Sequence, residues 1–272
     1  MAVPITEAFT LGFIGAGKMA EAIARGVATS GTIPAARMRA ADLSEDRRRV
    51  FSELGVKAFD SNVKVVEESE VIILSVKPQV VKKVAYELKP FFTKEKLVVS
   101  IAAGTKLKDL QEWVGHGRLI RVMPNTPCLV GQGASVMCLG DMATQEDEKL
   151  VSSIFGSVGK IWTADEKLLD GVTGLSGSGP AYIFLAIEAM ADGGVAAGLP
   201  RELALSLASQ TVLGAGALAI EKGDHPGQLK DEVASPAGTT IAGICELEKG
   251  GFRGLLISAV TAAAKRSQEL SN

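Results

Sequence analysis

The chain has 272 residues, 47% apolar and 22% charged, with a formal net charge of −2. This length exceeds a typical domain of roughly 100–200 residues and predicts two domains. The near-neutral balance gives no field for nucleic acid or an anionic membrane, and no unbroken apolar run approaches the roughly 20 residues of a membrane span. Cys128, Cys138 and Cys245 are far apart with no Cys-x-x-Cys, and the histidines are His116 and His225. A disulfide framework and a metal centre are therefore not expected. The N-terminal residues carry no basic n-region and no apolar h-region, so a cytoplasmic location is expected, or a plastid one if a transit peptide has been removed.

From residue 10 to about 162, apolar runs alternate with amphipathic stretches. Strands are predicted at 11–14, 37–41, 57–59, 71–76, 97–102, 119–123, 133–139 and 160–163. Helices are predicted at 18–30, 44–54, 62–68 and 145–155, with others between the central strands. Ser44 is placed as an N-cap, with Glu45 and Asp46 in the first turn behind it. This βαβ alternation predicts an α/β fold: a doubly wound parallel sheet with helices on both faces, over residues 1–163.

Residues 164–272 read differently. Strand signals vanish, and helices rich in Ala, Leu and Gly are predicted at 181–198, 201–222, 239–249 and 252–270. They are apolar around most of their circumference, as in Ile183-Phe184-Leu185-Ala186-Ile187. Such helices must be buried on most sides. An all-α domain that forms the interface of an obligate oligomer is expected.

Gly15-Ala16-Gly17-Lys18-Met19-Ala20 follows the first strand and opens a helix, as a dinucleotide-binding turn does. Gly15 serves the tight turn and Gly17 lets a pyrophosphate approach the backbone. The helix N-terminus attracts phosphate. At the end of the second strand, Asp42 is placed for a ribose diol, whereas Ser44, Arg47 and Arg48 could surround a 2′-phosphate. Both readings stay open, so NADPH and NADH are both candidates. Later strand ends should line the same cleft: Val76-Lys77-Pro78, Ala102-Ala103-Gly104 and the loop holding Asn125. Lys77 is a phosphate contact or a solvated lysine; Asn125 is a ribose contact or a turn cap.

Two further segments stand out. Gly174-Leu175-Ser176-Gly177-Ser178-Gly179-Pro180 reads as a loop opening a helix. Ser235-Pro236-Ala237-Gly238-Thr239-Thr240 opens another and can hold a small anion by N–H groups and hydroxyls. With Met123-Pro124-Asn125-Thr126-Pro127 and His225-Pro226-Gly227-Gln228-Leu229-Lys230-Asp231, these motifs make the chain resemble pyrroline-5-carboxylate reductases across residues 10–270, most closely the plant branch.

The resemblance implies reduction of 1-pyrroline-5-carboxylate to L-proline, the last step of proline synthesis, by a subunit whose helical domains interlock into dimers and often a decamer. It implies substrate contacts from Ser235, Gly238, Thr239, Thr240 and Ser178, with Thr240 at the ring nitrogen as the catalytic group. The N–H groups of Gly238 and Thr239 and the Ser235 hydroxyl are assigned to the carboxylate. Asn62 joins the cofactor set. Two positions depart from the family pattern. Ala237 stands where Gly is usual, which is strained if φ is positive. Asp42 stands where Ser or His is common, which favours NADH use. A hydroxyacid dehydrogenase of similar layout would need an Asn one turn after a helical Lys, and Lys167 has none. A sensor of cofactor redox state would not need the Ser235–Thr240 segment.

Overall fold

The computed structural model describes residues 9–270. By internal contacts the chain forms two compact units. One runs to Ser178 and takes back the chain from Ala262; the other is Gly179–Thr261. The expected boundary at 163/164 lies ahead of this division.

The first unit carries an eight-stranded sheet: β1 (Leu11–Ile14), β2 (Met38–Ala41), β3 (Lys57–Phe59), β4 (Val71–Leu74), β5 (Leu97–Ser100), β6 (Leu119–Met123), β7 (Gly133–Leu139) and β8 (Gly159–Thr163), in the order β3-β2-β1-β4-β5-β6-β7-β8. The helices are α1 (Lys18–Thr29), α2 (Glu45–Glu53), α3 (Asn62–Glu67), α4 (Pro78–Leu88), α5 (Leu107–Val114), α6 (Gln145–Gly156) and the short α7 (Leu169–Val172). Strand order reverses between β1 and β4, the position where open α/β sheets bind ligands.

The β-branched runs become central strands buried on both faces. Alternate residues point to opposite sides. Phe13, Ile73 and Val99 join one core with Ile23, Val27 and Phe51. Ile14, Leu74 and Val98 join the other with Val81, Leu110 and Leu119. Phe13 and Phe51 meet edge to face at 5.9 Å, a contact worth about 1 kcal/mol beyond area burial.

One expectation is corrected. The sheet is mixed, because β7 runs antiparallel to β6. A parallel return needs a long crossover, and the 124–132 connection has no such helix. The crossover through α6 then sets β8 parallel to β7.

The second unit consists of α8 (Gly179–Ala196), α9 (Arg201–Lys222), α10 (Pro226–Val233), α11 (Thr239–Lys249) and the first part of α12 (Phe252–Leu270). Its one cluster of buried apolar side chains, among the described residues, is Ala191, Ala204 and Ala208. Phe184, Leu185, Leu213, Ile220, Leu255 and Ile257 are each 60% or more exposed. Apolar exposure on this scale marks a contact surface. α9 also corrects the expectation about membrane spans. By length and mean hydropathy (1.7 over its best window) it is apolar enough to cross a bilayer. Ser206, Ser209, Gln210 and Thr211 break the unbroken run that the sequence reading required, but not the average.

Candidate functional site

The turn after β1 is held by backbone bonds. Gly15 adopts φ +95°, and a Cβ there would lie 3.0 Å from the Ser75 backbone, so only glycine fits. Its N–H donates to the Ala41 carbonyl at 2.8 Å. Ser75, absent from the sequence-based candidates, donates its hydroxyl to the Gly15 carbonyl (2.6 Å) and the Ile14 carbonyl (3.0 Å). Gly17 is the N-cap of α1 without a side-chain capping bond, and a Cβ on it would meet no atom within 4 Å. The first-turn N–H groups of α1 have no partner within the helix and lie beside this open position, an arrangement that suits an anion. Ala16 is buried, Lys18 is exposed, and Met19 packs on the core.

The end of β2 is braced against this turn. Asp42 accepts the N–H of Ala16 on Oδ2 (2.8 Å) and that of Ser44 on Oδ1 (2.9 Å). Ser44 caps α2 as expected, accepting the Arg47 N–H at 3.4 Å. Arg47 gives Nε to the Ala16 carbonyl (2.6 Å) and Nη2 to Glu21 (2.8 Å). Arg48 donates Nη1 to the carbonyls of Asp42 and Leu43. Both arginines therefore brace the loop, Arg47 through Nε and Nη2 and Arg48 through Nη1. Glu21 is the residue that sequence reading missed here; its charge in the first turn of α1 was the available signal. Burial raises its carboxyl pKa, but the bonds from Arg47 and Arg25 outweigh this and hold it below the ordinary range.

The remaining strand ends fall at the same edge of the sheet. Val76 is half-buried; Lys77 is the exposed N-cap of α4, with Pro78 at its first position. Asn62 is half-buried at the start of α3. Ala102 is buried, while Ala103 and Gly104 line a cavity of about 610 Å³ with Pro78, Lys82, Trp113, Ser178 and Arg266. Asn125 is buried, and both sides of its amide are engaged: Oδ1 accepts the Ala134 N–H (2.8 Å) and Nδ2 donates to the Ser176 carbonyl (3.1 Å). These two bonds give Asn125 a bracing role between the start of β7 and the turn before α8.

The segment before α8 is helical rather than the expected loop. Residues Thr173–Gly177 form a π-helical turn continuing α7. The hydroxyls of Thr173 and Ser176 bond back to the carbonyls of Leu169 and Val172, and such a turn widens the ladder. A Cβ on Gly177 would lie 2.6 Å from the Met123 side chain, so the glycine permits close packing.

In the second unit, the turn Ser235–Gly238 enters α11. Gly238 is the N-cap, so this helix start has no capping side chain of its own. The Gly238 N–H donates to the Ser235 carbonyl at 3.1 Å, which removes it from the anion-binding role expected of it. The N–H groups of Thr239, Thr240 and Ile241 have no partner within the helix. Gly238 contributes space: a Cβ there would sit 2.3 Å from Ser235 Oγ. Ser235 and Thr239 are exposed and Thr240 is half-buried. Ala237 has φ +54°, the one non-glycine with positive φ among the described residues.

Comparison with known proteins decides the family. Residues 166–270 match the model described as pyrroline-5-carboxylate reductase dimerisation, and residues 10–104 match NADP oxidoreductase coenzyme F420-dependent. The chain is 65% identical to the pyrroline-5-carboxylate reductase of Pisum sativum, covering 98% of both chains. It belongs to the pyrroline-5-carboxylate reductase family. The Arabidopsis thaliana enzyme is also 65% identical, over 97% of this chain and 96% of its own. A reductase structure from Coxiella burnetii superposes with TM-score 0.91 at 36% identity, covering 98% of this chain and 100% of that one. One from Plasmodium falciparum with NADP bound gives 0.89 at 35%, covering 98% and 99%. An Aquifex aeolicus prephenate dehydrogenase, at 14% identity and TM-score 0.55, shares the fold alone.

Proposed function

We propose that this protein reduces 1-pyrroline-5-carboxylate to L-proline with NADPH or NADH, the final step of proline biosynthesis. Near full-length identity of 65% to curated plant reductases carries this reading, and the open glycine turn after β1 fits the cofactor. When bound, the reduced nicotinamide supplies a hydride to the imine carbon. The C=N π electrons move to the ring nitrogen, which ends protonated. An iminium already protonated in solution needs no strong acid from the protein, in keeping with the absence of His, Asp or Glu from 235–241.

The chain's own residues bind and orient. The first turn of α1, with Gly15, Ala16, Gly17, Lys18 and Met19, holds the diphosphate; Asn62, Val76, Lys77, Pro78 and residues 102–104 line the rest of the cleft. The substrate carboxylate lies at the N-terminus of α11, on the free N–H groups from Thr239 onward and the Ser235 hydroxyl. Thr240 Oγ hydrogen bonds the ring nitrogen, and Ser178 lies on the substrate side. Residues 1–163 serve the cofactor, and 164–272 serve substrate and assembly. The apolar faces of α8, α9 and α12 are covered by a second copy, with dimers assembling further into a decamer. Neither nucleic acid nor a membrane is a partner, and the protein works in the cytoplasm, or in a plastid if a transit peptide has been removed.

Cofactor oxidation followed at 340 nm, with and without pyrroline-5-carboxylate, tests the activity. Turnover only with the imine supports it; none with either cofactor, in protein that binds cofactor, sinks it. Light scattering on the eluted protein tests assembly, and a monomer at micromolar concentration would refute the covered faces.

A further inference from the structure

The carboxylate at the end of β2 is built as a receptor for a vicinal diol. Asp42 follows the last residue of β2, and its N–H is held by the Phe59 carbonyl at 3.3 Å. Its two oxygens are oriented by backbone donors, Oδ2 by Ala16 and Oδ1 by Ser44. A carboxylate oxygen has two acceptor sites, so each retains one. Two acceptors side by side on a fixed carboxylate match the two O–H donors of a ribose 2′,3′-diol. They offer a 2′-phosphate no donor, and the like charge repels it.

The nearby cations do not reverse this. Arg47 is tied to the Ala16 carbonyl and to Glu21, whose side chain is 12% exposed. Glu21 remains ionised at neutral pH and offsets the Arg47 charge. Arg48 spends Nη1 on two loop carbonyls. The Ser44 hydroxyl takes the Arg47 N–H. A 2′-phosphate would meet the Asp42 carboxylate and an Arg47 whose charge is already shared with Glu21.

We infer that Asp42 selects a nicotinamide cofactor without a 2′-phosphate, so that NADH is the preferred reductant of this protein. The inference rests on reading the β1–α1 turn as a dinucleotide site, and it sets this chain apart from the Plasmodium falciparum reductase, whose structure holds NADP.

Isothermal titration of the purified protein with NADH and with NADPH, without imine, tests it directly. NADH should bind about tenfold tighter or more. Asp42→Ser should shift the ratio of dissociation constants toward NADPH by about tenfold, because it removes the anion and the paired acceptors. Asp42→Asn, similar in size with one acceptor oxygen, should shift it in the same direction and serves if the serine variant does not fold. NADPH binding as tightly as NADH to the wild type would overturn the inference and leave the reductase reading standing. A wild-type preference for NADH that survives both substitutions would overturn the role of Asp42. Failure of the wild type to bind either cofactor would overturn both the inference and the dinucleotide reading beneath it.

Discussion

Gly15 and Gly17 lie two residues apart in one turn, yet the structure gives their alanine variants opposite phenotypes. At Gly17, φ is −68° and a Cβ would meet nothing within 4 Å. Alanine is a poorer N-cap than glycine, but it also restricts the unfolded chain. These effects oppose each other, so Gly17→Ala should change folding stability by less than about 1 kcal/mol. The proposed site has the diphosphate approach through the open space beside Gly17, where a methyl group would intrude on a packed contact. Overpacking costs about 1–3 kcal/mol, so cofactor affinity should fall by roughly 5- to 150-fold. At Gly15 the position is reversed. Alanine at φ +95° with a backbone atom 3.0 Å from its Cβ incurs left-handed strain of about 1–2 kcal/mol plus a similar overpacking cost. Gly15→Ala should therefore lower stability by about 2–5 kcal/mol. Urea denaturation with the cofactor absent measures the first quantity and fluorescence titration with NADH or NADPH the second. Unchanged affinity in a folded Gly17→Ala variant would refute the placement of the diphosphate on this turn.

Other outcomes follow from single contacts. Thr240→Ala should lower kcat/KM by about tenfold or more, the scale of one lost hydrogen bond at a reacting atom; unchanged steady-state kinetics would remove Thr240 from the chemistry. Ala237→Gly relieves a positive φ and should leave stability level or raise it by up to about 1 kcal/mol, whereas Ala237→Val should lower the melting temperature. Glu166 pairs with Arg121 at 2.7 Å, and that arginine is 4% exposed. Glu166→Ala leaves a buried cation unpaired and should cost about 3 kcal/mol by chemical denaturation. Asp147 is buried against Arg118 at 2.8 Å. Burial raises its pKa, but the bonds from Arg118 and the Thr144 N–H outweigh this and hold it low. Its stabilisation is therefore present above the unfolded carboxylate pKa and lost as pH falls through the folded value. The melting-temperature gap between wild type and Asp147→Asn should be full at neutral pH and close below about pH 4; a gap independent of pH would refute the ion-pair origin.

Much of the fold was legible because its causes are local. Alternating apolar runs, the Gly15 and Gly17 turn, Ser44 ahead of two acids, and apolar helices after residue 165 all act over a few residues. Such short-range patterns determine strands, helices and caps wherever the chain lies. The unbalanced apolar surface of α8, α9 and α12 was legible for the same reason, since composition alone exceeds what one subunit can bury.

What the sequence could not decide depends on partners distant along the chain. The direction of β7 turns on whether a short connection or a crossover helix brings it to β6. Asp42 reads equally as a turn residue or a ribose contact until Ala16 and Ser44 are seen to share its oxygens. Arg47 reads only as a phosphate ligand or a solvated helix residue until the Ala16 carbonyl and Glu21 are seen to share it. Asn125 reads as a ribose contact or a turn cap until Ala134 and Ser176 are seen to share its amide. The end of α12 returns to the first unit, where Ser267 bonds Asp170 at 2.6 Å across 97 residues. By itself the sequence determined the strands, the long helices, the glycine turn after β1 and the resemblance to the family, whereas the helical turns at 169–177 and 226–233 appeared only in the structure. Tertiary structure alone decided which polar groups are consumed in holding the site and which remain free for a ligand. A side chain's hydrogen-bonding capacity is finite, and only the folded arrangement distributes it.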